Sequence, residues 1–510
     1  MLSDATGVAI VAIYCILMIG MGVWASRKVK TASDFIVAGR SLGFWLFTLL
    51  MFGVVCSGMS LLGVPGLGFR LGWSTMWEQL FVPLSISFCI IFFGVKLFQV
   101  SRKTGYMTVQ DYLAHRYQSE KAVRGLSSIA SIVVSVIYLA GQYTAISIVL
   151  IWLFDIPHWF ALLIGAAVAI TYTVIGGLYA VSITNIVQAV MLVIGVVIMA
   201  PIVISYAGGI EAINLAMGAA NANLVVPWTT DAAHGFSFEY VVSLGILLMV
   251  GLACAPHVIN NVIAAKDVRY FKWVPFLTFA IYAVIMVLLK FTGFAGFNLV
   301  GNGLVTLPDV SNAQDYIFML GVQAAVPNIL VLSLFGVVVL CAVMSTTDRL
   351  MLTIATTCSW DIYKGILKPE ASDRTVLLVS RIAVFVSGIL TVLIVLNPPN
   401  ILAFLIWMGI GTMLAVFAVP LLAGLYWRRA TKEGAIASMI AGLVAALVFA
   451  AISRYVTSLP MHFSFYALLC SIAAMIIVSL LTKPVSSDVL DMTNTGFYIF
   501  ERKEKKNSKN

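Results

Sequence analysis

The sequence predicts an all-α polytopic membrane protein, and three observations carry that prediction. Of 510 residues, 61% are apolar or aromatic and 10% are charged, against roughly 25% charged in a soluble domain. Apolar stretches of about 20 residues recur along the chain, each long enough to cross a roughly 30 Å hydrocarbon core. Mean hydropathy is +1.04. Basic residues fall in alternate loops. A soluble enzyme with so few polar groups is unable to cover its surface, and that class is excluded.

Taken in order, the pattern predicts thirteen spans. The first, 6–25, has no basic stretch before it and no small-residue cleavage site after it, so it is expected to be an anchor. A loop with Arg27, Lys28, Lys30 and Arg40 leads to 44–69, and Arg70 alone separates this from 76–100. Arg102, Lys103, Arg116, Lys121 and Arg124 precede 126–153, followed by 159–175 and 185–206. A long loop without Lys or Arg, 207–239, leads to 240–263. Lys266, Arg269 and Lys272 then precede 273–297, and a second such loop, 298–328, leads to 329–357. Lys364, Lys368, Arg374 and Arg381 flank the start of 376–396. The last spans are 401–427, 435–451 and 463–481, with Arg428, Arg429 and Lys432 after the first of them and a basic tail from Lys483 onward.

Most of the 30 basic residues thus lie on one side. The positive-inside rule puts that side in the cytoplasm, with the N-terminus outside and the C-terminus inside a plasma membrane. The net charge of +9 is therefore a topology signal, and nucleic acid is not an expected partner. There is no CxxC pair among the seven cysteines, so neither disulfides nor zinc are expected. No GxxxxGK[ST] motif exists to bind ATP. Clustered His or carboxylates at one interface, the sign of a membrane enzyme, are also missing, so the chain is not read as an enzyme. The two long loops are expected to carry short helices or a lid.

An internal echo points further. Gly53-Val-Val-Cys56-Ser57-Gly58 and Gly251-Leu-Ala-Cys254-Ala-Pro256 place helix-weakening residues mid-membrane, five spans apart. Interrupted segments at matching places in two halves mark transporter binding sites. Gly and Pro also serve as packing notches in membrane helices, and the pattern alone leaves both readings open.

Ionisable residues within spans cost about 3 kcal/mol or more at the bilayer centre. They are few: Asp348, Arg349, Lys290, Lys96, and Glu78 and His257 at span edges. Lys290 and Lys96 are expected to snorkel to the interfaces; a counter-charge for an anionic solute is the other reading of Lys290. Ala342, Ser345 and Thr346 share one helix face, extended by Asp348. Two hydroxyls with main-chain carbonyls freed by a break make an all-oxygen nest for a hard cation. The same hydroxyls can instead bond back to their own helix.

The segments Ala32-Ser-Asp-Phe-Ile-Val-Ala-Gly-Arg-Ser41, Ile175-Gly-Gly-Leu-Tyr-Ala-Val-Ser182-Ile-Thr-Asn-Ile-Val-Gln188, Ala342-Val-Met-Ser-Thr-Thr347 and Leu422-Ala-Gly-Leu-Tyr-Trp427 resemble, in order, those of the sodium:solute symporter family. The resemblance runs from the first span to the twelfth. It implies a leucine-transporter-like fold, with an inverted five-plus-five repeat and extra helices at both ends. The implied division is a first helix and loop at 1–43, repeats at 44–206 and 240–427 about the loop 207–239, two further helices at 428–482 and a tail at 483–510. It also implies Na⁺-coupled import of a small organic solute by alternating access. The implied Na⁺ site is Gly53, Cys56, Ala342, Ser345 and Thr346.

Two departures stand out. Val55 and Asn185 occupy positions where some members carry Asp, whereas Asp348 stands where those members have a hydroxyl. A second cation site at Asn185, Ser345 and Asp348 is the resulting hypothesis. Solute contacts are expected from Ser57, Gly58, Gln142, Thr144, Asn260 and Trp407. A small carboxylate such as pantothenate is favoured as cargo, with a proline-like amino acid as the alternative. A cation-independent sensor or channel is the rival class.

Overall fold

Apolar composition is answered by helices throughout the described residues. The structure, a computed structural model, describes residues 5–396 and 402–493. The start of the span expected at 401 and the tail beyond 493 lie outside them. Helix α1 is Ala5–Ser26. Helix α2, Phe44–Val55, is followed by α3 at 59–71 and α4 at 78–104. The short α5, Val109–Arg116, precedes α6, Ala122–Phe154, and α7, His158–Tyr206. Next come α8, Phe238–Cys254, and α9, Pro256–Ile263. Helix α10 is Val274–Gly301, α11 is Ile329–Leu367 and α12 is Asp373–Val395. Helix α13 covers 402–426, and α14, Lys432–Tyr455, pairs with α15, Phe463–Leu481.

Among the described residues ten helices, with α3 and α4 taken as one, are long and apolar enough to cross a membrane, or eleven when α8 and α9 count as one bent span. The thirteen spans read from the sequence differ from this count mainly because two of the ten are very long. Met59–Thr104 has 46 residues and His158–Tyr206 has 49, each more than twice the roughly 20 that one crossing needs. Each is interrupted by a glycine at positive φ, Gly72 at 59° and Gly177 at 54°. A side chain at either place would also collide with a neighbour: the Leu224 carbonyl at Gly72, the Phe35 ring at Gly177. The long loops carry a helix each, Gly209–Ala220 and Ile317–Ala325.

Packing follows small-residue stripes, since lipid offers no hydrophobic drive between helices. Helix α1 buries Gly7, Val11, Tyr14, Met18, Gly22 and Ala25 along one face. Gly22 lets it approach α7 at Tyr172. Helices α6, α7 and α11 pack on one another around the centre.

At the end bearing the basic loops, a capping box starts α5. Thr108 Oγ1 accepts from Asp111 N, and the Asp111 carboxylate accepts from Thr108 N. Asp111 also accepts from Met107 N, from Trp360 Nε1 at 2.9 Å and from Arg124 Nη1. Thr108 Oγ1 donates in turn to Asp361 Oδ1 at 2.6 Å. Arg116, fully buried, donates to the carbonyl of Gly424 in the last turn of α13 and to those of Trp427 and Ala430 just beyond it; cations at helix C-termini satisfy such orphaned groups.

Candidate functional site

The site begins with a cut in the chain's own hydrogen-bond ladder. Cys56 takes extended backbone, φ −84° and ψ 99°, and ends α2. In a continuous helix Gly53 O would accept from Ser57 N, and Cys56 O from Ser60 N. Here Ser57 N turns to Ser60 Oγ at 3.3 Å, and Ser60 N turns to Ser57 O. Both carbonyls are released, and hydroxyls from α11 reach them. Ser345 Oγ lies 3.1 Å from Gly53 O, 3.3 Å from Cys56 O and 2.8 Å from Ala342 O. Thr346 Oγ1 lies 3.5 Å from Cys56 O.

All five residues expected at the main cation site therefore converge. Ser345 bonds to its own helix and to the break at once, so the two readings of these hydroxyls are not exclusive. The donor set is neutral oxygen only and is buried, which suits a hard monovalent cation that must be released again. Tyr282 of α10 supports the gap, donating to Val55 O at 2.8 Å, with Ser60 Oγ at 2.7 Å from the same hydroxyl.

Asn185 of α7 presses on Gly53, where an added Cβ would collide with its amide oxygen. Both amide atoms of Asn185 lack a hydrogen-bond partner. Asp348 turns to the other half of α7: its Oδ1 accepts from Tyr172 OH at 2.5 Å and from Thr173 Oγ1 at 3.2 Å, while Oδ2 is unpartnered. Among the described residues no hydrogen bond joins Asp348 to Asn185 or to Ser345, whose hydroxyl serves the main cluster.

Beside the break lies a central cavity walled by Ser57, Ser60, Glu78, Tyr138, Tyr282 and Trp407, with apolar residues between them. About 20 Å³ of it is open to the centre of a water molecule, room for one or two waters. Of the expected solute contacts, Ser57 and Trp407 line this cavity. Gly58 and Gln142 meet behind it, where Gly58 N donates to Gln142 Oε1 at 3.0 Å and Gln142 Nε2 is left without a partner. Thr144 bonds back to Ala140 O in its own helix at 3.0 Å. Asn260 sits nearer the basic end, accepting from Val109 N at 2.9 Å and lining a separate narrow cavity.

The snorkelling expected of Lys290 is overturned. It is fully buried, and Nζ donates to Glu78 Oε2 at 2.8 Å, with Glu78 equally buried. Lys96 Nζ reaches the last turn of α13 beside the basic loop, donating to Leu425 O at 2.9 Å over the Tyr426 ring. Sequence reasoning missed Glu78, Ser60, Tyr138 and Tyr282 as cavity walls. The available signal was the pair of opposite charges within spans, which is costly unless the two charges meet.

The comparisons with known proteins bear on the family and the fold. An osmoregulated proline transporter of Bacillus subtilis (strain 168) is 26% identical over 486 residues, covering 92% of this chain and 94% of that one. A sodium/pantothenate symporter of Escherichia coli (strain K12) is 27% identical over 450 residues, covering 86% and 89%. Among solved structures, a Na⁺-coupled sialic acid symporter in an outward-open, substrate-bound state superposes with a TM-score of 0.76 at 20% identity, covering 95% of this chain and 99% of that one; this likeness shows a shared, leucine-transporter-like fold. A family model matches residues 35–442, and with that the chain belongs to the sodium:solute symporter family.

Proposed function

We propose that the protein is a Na⁺-coupled importer of a small organic solute bearing a carboxylate, set in a plasma membrane with its basic loops in the cytoplasm. The observation that carries this reading is the convergence of Gly53 O, Cys56 O, Ala342 O and the hydroxyls of Ser345 and Thr346 at a break that also opens onto the central cavity. Sodium bound there fixes the released carbonyls in place, so ion occupancy and the shape of the cavity are linked. The two halves, 44–206 and 240–427, then act as the inverted repeats that rock about the site.

One Na⁺ crossing about 100 mV gains roughly 2.3 kcal/mol, and a tenfold concentration ratio adds about 1.4, when the solute is neutral or zwitterionic. A monovalent anion carried with one Na⁺ loses the voltage term, so an anion benefits from a second cation. A carboxylate partner finds the sodium charge and the positive end of the α3 helix dipole. Glu78 on the cavity wall favours a second reading, a zwitterionic amino acid of the proline kind, because its carboxylate can receive an ammonium group.

Purified protein in liposomes, loaded against a Na⁺ gradient and offered labelled L-proline or pantothenate, tests the proposal. Accumulation of one of them that collapses without Na⁺ supports it. Flux indifferent to Na⁺ points to a channel and overturns it.

A further inference from the structure

We propose that Arg349, with Asn261 and His257, forms a second station on the basic side of the pore, an anion subsite that takes the solute's carboxylate after it leaves the central cavity. This rests on the functional reading above and adds a place on the exit path.

Arg349 is 2% exposed, and Nη1 donates to Asn261 Oδ1 at 3.2 Å, yet Nε and Nη2 have no partner. Asn261 is itself fixed, since its amide nitrogen donates to His257 O at 2.7 Å. His257 is 2% exposed with both ring nitrogens unpartnered. These three side chains line one narrow cavity, together with Asn260 and the hydroxyl-bearing Thr353 and Thr356, and among the described residues no acidic one lines it. A buried cation with idle donors is costly unless an anion meets it. Asp348, next in the chain, is turned about 100° away around the helix and is taken by Tyr172 and Thr173. It offsets the charge at a distance without filling the donors.

The position is that of a next stop. Arg349 follows Ser345 by four residues, so it sits on the same face of α11, about 6 Å further toward the basic end. His257 and Asn261 are likewise four apart and share a face of α9. The two cavities adjoin through an edge-to-face contact, 5.4 Å between the rings of His257 and Tyr138, and Tyr138 walls the central cavity. A guanidinium with free N–H groups recognises a carboxylate in a fork geometry that an ammonium does not reproduce. Sodium and carboxylate thus leave along one helix face, the ion from Ser345 and the anion past Arg349.

The test uses oriented proteoliposomes of the full chain, with labelled L-proline and labelled pantothenate as probes. In Arg349→Gln, half-saturation measured from the non-basic face is expected within about twofold of wild type, while half-saturation for efflux from the basic face rises at least tenfold; Arg349→Lys falls between. Should Arg349→Gln fail to reach the membrane, wild-type protein decides: acetate on the basic side slows efflux and, applied on the other side, leaves uptake unchanged. An unchanged efflux half-saturation in Arg349→Gln, or acetate acting equally from both sides, overturns the subsite. Wild-type protein that carries neither probe with Na⁺ overturns the functional reading instead, and the subsite with it.

Discussion

The hydroxyl of Tyr282 donates to the carbonyl of Val55, 2.8 Å away and 227 positions earlier in the chain, and so ties α10 to the break at the proposed cation site. Losing a buried partner of this kind costs about 1–3 kcal/mol. Tyr282→Phe is therefore expected to raise half-saturation for Na⁺ by roughly tenfold while the protein still reaches the membrane, as read by Na⁺-dependent uptake in liposomes.

Ser345 and Thr346 supply the two side-chain oxygens of the proposed site. Replacing both by alanine is expected to abolish Na⁺-driven accumulation, and either single change should weaken Na⁺ dependence by at least tenfold. Accumulation that survives in the double variant with its Na⁺ requirement intact removes the site.

Gly53→Ala drives a methyl group into the Asn185 amide. Overpacking of this sort costs about 1–3 kcal/mol. The single variant is expected to lose transport and several degrees of melting temperature. Adding Asn185→Ala should restore part of the stability, a coupling that a thermal double-mutant cycle measures.

Glu78 and Lys290 form a buried ion pair. Removing one partner of such a pair costs about 3–5 kcal/mol, whereas removing both is often tolerated. Lys290→Met is thus expected to destabilise strongly, and Glu78→Gln with Lys290→Met to regain stability without regaining wild-type uptake. Equal stability of the single and double variants is the contrary result.

Asp315, in the loop before Ile317–Ala325, is 1% exposed and accepts a bond from Leu402 N at 3.4 Å. Burial raises its carboxyl to about 7, a rise that the Leu402 amide opposes. A raised acid favours the neutral form in the fold. Its stabilising contribution is complete below its ordinary value of about 3.9 and is lost as pH rises through about 7. Melting curves of wild type and Asp315→Asn at pH 5 and pH 8 should show the wild type losing more stability at pH 8 than the variant does. Parallel losses count against it.

What the sequence made legible was local. Ala342 and Thr346, four apart, share a helix face by spacing, with Ser345 beside them, and the Gly-rich stretch from Gly53 to Gly58 marked an interruption; that the two meet was implied by the family resemblance. The cavity was harder. Thr144 and Asn260 are polar residues at plausible depths, yet Thr144 serves its own helix and Asn260 faces Val109. Which polar group meets which is decided by rotation and depth of whole helices, and one residue of offset turns a side chain by about 100°. Lys290 shows the same difficulty: snorkelling and pairing begin from identical sequence, and only the arrival of Glu78 from α4 separates them.

The corner around Asp111 carries a mechanical consequence. Backbone and side-chain donors from 107–108, from Arg124 and from Trp360 all end on one carboxylate, riveting α5, the foot of α6 and the foot of α11 into a stiff slab. The rocking proposed above is then taken up at joints where the helices are already interrupted, Cys56 and Ala255 among them. Spectroscopic rulers fixed within the slab would keep one length through the whole cycle, while rulers spanning a joint would lengthen and shorten with each turnover.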